Sequence, residues 1–138
     1  MTNVTITGNL TREPELRFTP SGTAVANLGV AENHRRRNEA GKWVDGEPTY
    51  WRVAVWGEQA EHVAESLEQG HLVVVVGRTG TRVWTPTDGP KAGEEQRSLE
   101  VVADTVAPSL RWATAKVTKA TRSASPSPDF AGDDEPPF

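Results

Sequence analysis

Tyr50-Trp51-Arg52-Val53-Ala54-Val55-Trp56-Gly57 is the stretch on which the fold turns. Trp51, Val53 and Val55 form one apolar row, while Tyr50, Arg52, Ala54 and Trp56 form the alternate row. A period of two in aromatic and β-branched residues predicts a strand with one face in a core. At Gly57 the period changes. Ala60, Val63, Ala64 and Leu67 recur at helical spacing, opposite Glu58, Glu61, Glu65 and Glu68, so a helix is predicted over 58–69 with Gly70 as its stop.

Upstream, Val4, Ile6 and Leu10 alternate along a first strand that contains Gly8. Glu13-Pro14 and Pro20-Ser21-Gly22-Thr23 are turn signals around a short extended piece with Leu16 and Phe18. Residues 24–32 predict a strand with Ala26, Leu28 and Val30 on one face, and a polar loop over 33–48 carries Arg35-Arg36-Arg37 and Lys42-Trp43. Downstream, 72–84 is a long strand whose Val73–76 run suggests burial on both faces. Asp88-Gly89-Pro90 marks a hairpin tip, and 98–103 returns. Three strands, a helix and a long hairpin predict a mainly all-β fold. The order is that of a five-stranded oligonucleotide/oligosaccharide-binding (OB) barrel with one helix between strands 3 and 4; another small β-barrel or half-barrel is the rival. The expected divisions are a barrel domain over 1–107, an extra C-terminal strand over 108–119, a disordered linker over 120–132 and an acidic tip over 133–138.

Bulk composition excludes several classes. The chain of 138 residues has no cysteine, and His34, His62 and His71 lack ligand spacing, so no metal or cofactor is expected. No phosphate-cradling glycine loop, nucleophile elbow or tuned carboxylate pair appears, and no enzyme is expected. No apolar run approaches a membrane span and no signal region opens the chain, so the expectation is a cytoplasmic, nucleoid-associated protein with no membrane partner. The formal charge of −4 conceals an uneven distribution: residues 1–119 hold 14 basic against 15 acidic side chains, with four of the acids on the predicted helix. The strands and hairpins are left relatively basic.

Alternation gathers rings and guanidinium groups. Tyr50, Arg52 and Trp56 share one strand face, and Arg78, Gly80, Arg82 and Trp84 share another. Rings interleaved with arginines make a stacking platform for unpaired bases, because every base has a π-face and the arginines meet phosphates. Arg35, Arg36 and Arg37 are read as a flexible basic clamp; Trp51 and Trp112 are left to the core or to a subunit contact. The terminal Asp133-Asp134-Glu135-Pro136-Pro137-Phe138 reads as a recognition tag, with a ring and carboxylate for a pocket and acids to steer the approach.

The chain resembles the bacterial single-stranded DNA-binding protein family over essentially its whole length. The carrying motifs are Ile6-Thr7-Gly8-Asn9-Leu10, Glu13-Pro14-Glu15-Leu16-Arg17-Phe18, Gly22-Thr23-Ala24-Val25-Ala26-Asn27, Trp51-Arg52-Val53-Ala54-Val55-Trp56-Gly57 and the acidic tip. Val63-Ala64-Glu65-Ser66-Leu67 and the segment from Pro108 to Val117 look like the actinobacterial branch. The resemblance implies a homotetramer that wraps single-stranded DNA without sequence preference and recruits replication, recombination and repair proteins through its tip. Tyr50, Trp56 and Trp84 match the family's stacking aromatics, and Arg17, Arg36, Arg52 and Arg82 match its basic positions. By the same resemblance, 110–117 clasps a neighbouring subunit. There are two departures. Arg35 stands where the family commonly has a stacking Trp, with Trp43 the nearest ring, and the linker lacks a Gly/Gln-rich stretch. The alternative function is a replication or recombination adaptor that binds DNA weakly.

Overall fold

The structure, a computed structural model, describes residues 2–120. The elements are β1 (Thr2–Leu10), β2 (Glu15–Phe18), β3 (Ala24–Glu32), β4 (Arg35–Arg37), β5 (Trp43–Asp45), β6 (Thr49–Trp56), α1 (Glu58–Ser66), β7 (Leu72–Trp84) and β8 (Gln96–Pro108). Five strands close a ring: β1 pairs with β7, β7 with β8, β8 with β6, β6 with β3, and β3 with β1. The closed OB barrel is the observed fold, and α1 falls between its third and fourth strands as expected. β2 continues along the β3 edge that β1 leaves at Leu10, pairing Glu15–Phe18 with Asn27–Ala24.

Alternation fills the barrel. Ile6, Leu28, Val30, Val53, Val55, Val73, Val75 and Val101 are almost wholly buried. Each such side chain contributes about 1.5–3 kcal/mol relative to exposure. Ala60, Val63 and Leu67 close the barrel over one end. Closure requires close backbone approach at one glycine above all. Asn9 pairs with both Leu72 and Ala31, so β1 crosses from β7 to β3 there, and a Cβ on the preceding Gly8 would lie 2.4 Å from the Ala31 carbonyl oxygen. The β7–β8 register shifts between Val76 and Gly77, leaving Asp104 as the extra residue on β8. Gln59 of α1 serves this bulge, donating to the Asp104 carbonyl at 3.2 Å and accepting from the Val106 amide at 2.8 Å.

The structure departs from expectation in four places. The helix ends at Ser66 instead of residue 69, because Leu67 is extended (φ −111°, ψ 146°). The amides beyond it find side chains: Glu68 donates to His71 Nδ1 at 3.0 Å and Gln69 to Glu13 Oε1 at 3.2 Å. The Val73–76 run is buried on one face only, with Val76 43% exposed, since no layer among the described residues covers the outer face of β7. The polar loop contains the β4–β5 hairpin, closed by the Asn38 and Gly41 turn bonds. The returning strand runs over Gln96–Pro108, as β7 offers a partner along nearly its full length. The strand expected over 108–119 is one that pairs with a neighbouring subunit; within this single chain residues 109–120 form none. Only the Ser109 amide, donating to the Leu72 carbonyl at 2.8 Å, extends the ladder past Pro108.

Candidate nucleic-acid interface

The surface opposite the core rows of β3 and β6 is built by the same alternation that built the core. Val25 and Asn27 point outward from β3, while Arg52, Ala54 and Trp56 do so from β6. With Arg12, Arg17 and Arg82 they line a groove of about 440 Å³. Trp56 is 48% exposed along its wall, although the ring is apolar. An adjoining depression of about 290 Å³ is lined by Tyr50, Trp51, Ser98 and Leu99. Arg12 and Arg52 border both, so the two form one path along β6. Tyr50, 71% exposed, stands at its far end.

Four arginines (Arg12, Arg17, Arg52, Arg82) meet two glutamates (Glu15, Glu100) in the larger groove, a local excess of positive charge in a chain of net −4. Arg17 is engaged by Glu15, and both are exposed, so the pair holds the guanidinium loosely. Arg82 lies over the Trp84 ring at 5.3 Å. Trp84 is half-buried and does not line the groove itself; it backs the arginine that does.

The other candidate residues stand apart. Arg35, Arg36 and Arg37 occupy β4, an arm with no buried residue. There Arg37 lies over Trp43 at 5.5 Å, and Arg35 donates to the Trp43 carbonyl at 3.4 Å. The arm is rooted at His34, whose carbonyl accepts from Gly46 at 2.6 Å and whose Nε2 meets Thr49 Oγ1 at 2.8 Å. Arg78 lines neither depression and is paired with Asp104 at 3.2 Å. Trp51 borders the smaller depression but packs its ring on the core, donating from its indole to Glu32 at 3.1 Å. Trp112 is 77% exposed beneath Arg111, at 4.8 Å. The tip, 133–138, lies outside the described residues.

Arg12, Asn27, Ser98 and Glu100 were not anticipated. Asn27 was readable from the outward row of its strand. Arg12 was not, because it sits in the turn between β1 and β2 and reaches the groove only once β2 folds along β3. Among the described residues no cluster of three or more His, Asp or Glu is placed to hold a metal ion, and no helix is long and apolar enough to cross a membrane. The arrangement offers aromatic faces, fixed cations and a narrow track, which suits a flexible polyanion with exposed rings.

The family model described as "Single-strand binding protein family" matches residues 1–109. The Single-stranded DNA-binding protein of Mycolicibacterium smegmatis is 50% identical over 123 residues, covering 88% of this chain and 72% of that one. That of Corynebacterium glutamicum is 45% identical over 122 residues, covering 88% of this chain and 52% of its own. Among solved structures, a deletion mutant of the single-stranded DNA binding protein from Thermus aquaticus superposes with a TM-score of 0.64 at 33% identity. The match covers 78% of this chain and 50% of that one.

Proposed function

This chain belongs to the single-strand binding protein family, and from that premise we propose that it binds and protects single-stranded DNA along the groove of β2, β3, β6, β7 and β8. One observation carries the reading: Trp56 stands exposed in a groove with four arginines. Unpaired bases stack on Trp56 and Tyr50, and phosphates follow Arg12, Arg17, Arg52 and Arg82. The Arg35–Arg37 arm closes over the strand from the side. Duplex DNA binds far more weakly, because paired bases cannot reach the rings.

Titration of tryptophan fluorescence with an unstructured oligonucleotide tests this. Strong quenching is expected. Affinity for proteins with no quenching by DNA would point to the adaptor reading instead.

The assembly is a homotetramer in which residues 110–117 pair with a neighbouring subunit. Leu110, Trp112 and Val117 are 64%, 77% and 84% exposed on a segment without a strand partner of its own, which supports the reading. Sedimentation as a stable monomer at micromolar concentration would count against it. The acidic tip recruits replication, recombination and repair proteins, Phe138 filling an apolar pocket on each. Deleting Phe138 should abolish capture of those partners while DNA affinity is kept.

A further inference from the structure

The outward row of β3 runs Val25, Asn27, Gly29, and the last of these has no side chain. The edge of β3 passes from β1 to β2 here. Val30 pairs with Leu10 and Asn27 with Glu15, so the turn between those strands must run beside Gly29. It does so in close contact. The Thr11 amide donates to the Gly29 carbonyl at 2.9 Å, and a Cβ on Gly29 would collide with the Thr11 hydroxyl and lie 3.9 Å from Arg12 Nε. Gly29 is not among the glycines of positive φ, so a side chain there would violate space and not backbone conformation. The consequence reaches the groove. Arg12 Nε stands beside Gly29, and Gly29 is the register partner of Arg52 on β6. Both arginines border the groove of Trp56 and the depression of Tyr50. Arg17 is engaged by Glu15 and Arg82 lies over Trp84, whereas the exposed Arg12 and Arg52 have no side-chain partner among the described residues.

Resting on the reading that this groove takes single-stranded DNA, we infer that Gly29 is a positioning residue. By letting the β1–β2 turn lie against β3, it sets Arg12 beside Arg52. The two arginines then grip one phosphate where the strand passes from the Trp56 groove to the Tyr50 depression. Like charges held at one place repel, and an anion between them removes that repulsion. The guanidinium fork also matches the oxygens of a phosphate. Because the turn is seated on the barrel before DNA arrives, Arg12 loses less freedom on binding than an arginine on a loose loop. With a side chain at position 29, the turn or the Arg12 stem has to move off the strand. The protein then keeps its charge and loses the contact.

Fluorescence titration of the full-length chain with oligo(dT) over a range of salt tests the assignment in the parent, Arg12→Ala, Gly29→Val and the double variant. Arg12→Ala should remove about 0.7 from the slope of log affinity against log salt, the share of one phosphate on a single strand. Gly29→Val changes no charge, yet it should remove the same amount, and it should add nothing to Arg12→Ala in the double variant. Urea unfolding of each variant runs alongside. If Gly29→Val does not fold, Gly29→Ala, which meets the same Thr11 hydroxyl, takes its place with the same outcomes. Three results overturn the assignment. An unchanged slope in Arg12→Ala removes the phosphate contact, and a parental slope in Gly29→Val shows that Arg12 does not need the glycine. A further weakening when Gly29→Val is added to Arg12→Ala shows that the valine obstructs the track itself. Failure of the parent to bind removes the DNA reading and this inference together, whereas binding by the parent with any of those three results removes only the role of Gly29.

Discussion

The Arg82–Trp84 pair on the barrel hairpin and the Arg37–Trp43 pair on the β4–β5 arm are almost the same chemical object. The guanidinium lies 5.3 Å from the ring centroid in one and 5.5 Å in the other. What differs is the support. β7 is anchored in the barrel through Val73 and Val75, which are fully buried, and at Arg82 and Trp84 it is still paired with β8, though no longer with β1. The arm is a ladder of three residue pairs with no buried side chain and no core beneath it. A cation on a rigid strand meets a ligand without first being ordered, whereas one on a bare hairpin loses freedom at the moment of binding. The groove should therefore supply stacking and register, and the arm mainly electrostatic capture.

Removing the support beneath the groove is the most severe way to break this contrast. Leu28→Ala, behind the outward row of β3, should cost about 2–5 kcal/mol in urea unfolding, while Trp43→Ala on the arm should stay within about 0.5 kcal/mol. Next in size is the stacking surface itself. Trp56→Ala should weaken binding of an unstructured oligonucleotide by about 1–3 kcal/mol, or about ten-fold or more, with little dependence on salt. Trp84→Ala should cost less than Trp56→Ala, since its ring backs Arg82 and does not line the track.

Charge deletions sharpen the comparison further. Replacing Arg52 should remove about 0.7 from the slope of log affinity against log salt, and replacing Arg35, Arg36 and Arg37 together up to about three times that. If the arm acts by capture, the triple variant should lose association rate more than residence time in stopped-flow measurements. Arg78→Ala should have the smallest effect, because that side chain is spent on Asp104 at an exposed position. Oligonucleotide affinity should change by less than two-fold, and stability by no more than about 1 kcal/mol. A large loss of DNA binding in this variant would place the strand across the outer face of β7.

The legible parts of the molecule share one property: their signal is local. The alternation of Trp51, Val53 and Val55 against Tyr50, Arg52 and Trp56 placed both the core and the exposed ring correctly, since successive side chains on a strand must point to opposite faces. The Val73–76 run misled for the opposite reason. An unbroken apolar stretch tells how much burial a strand can accept, while whether Val76 is covered depends on what packs outside the barrel. Helix termination was missed similarly: Glu13 and His71 take the amides that residues 68 and 69 would have used to extend α1.

Sequence by itself determined the strand order, the inward rows, the helix after Gly57 and the kinds of side chain that face outward. Local periodicity and turn chemistry fix these without reference to distant residues. Only the tertiary structure decided which outward residues share a site. Closing β6 against β8 brings Glu100 and Ser98 onto the track of Trp56, and laying β2 on β3 delivers Arg12, while Arg78 is withdrawn by the bulge residue Asp104. Barrel closure joins strands about fifty residues apart in the chain. The composition of a groove so formed is set by registers that no local pattern encodes.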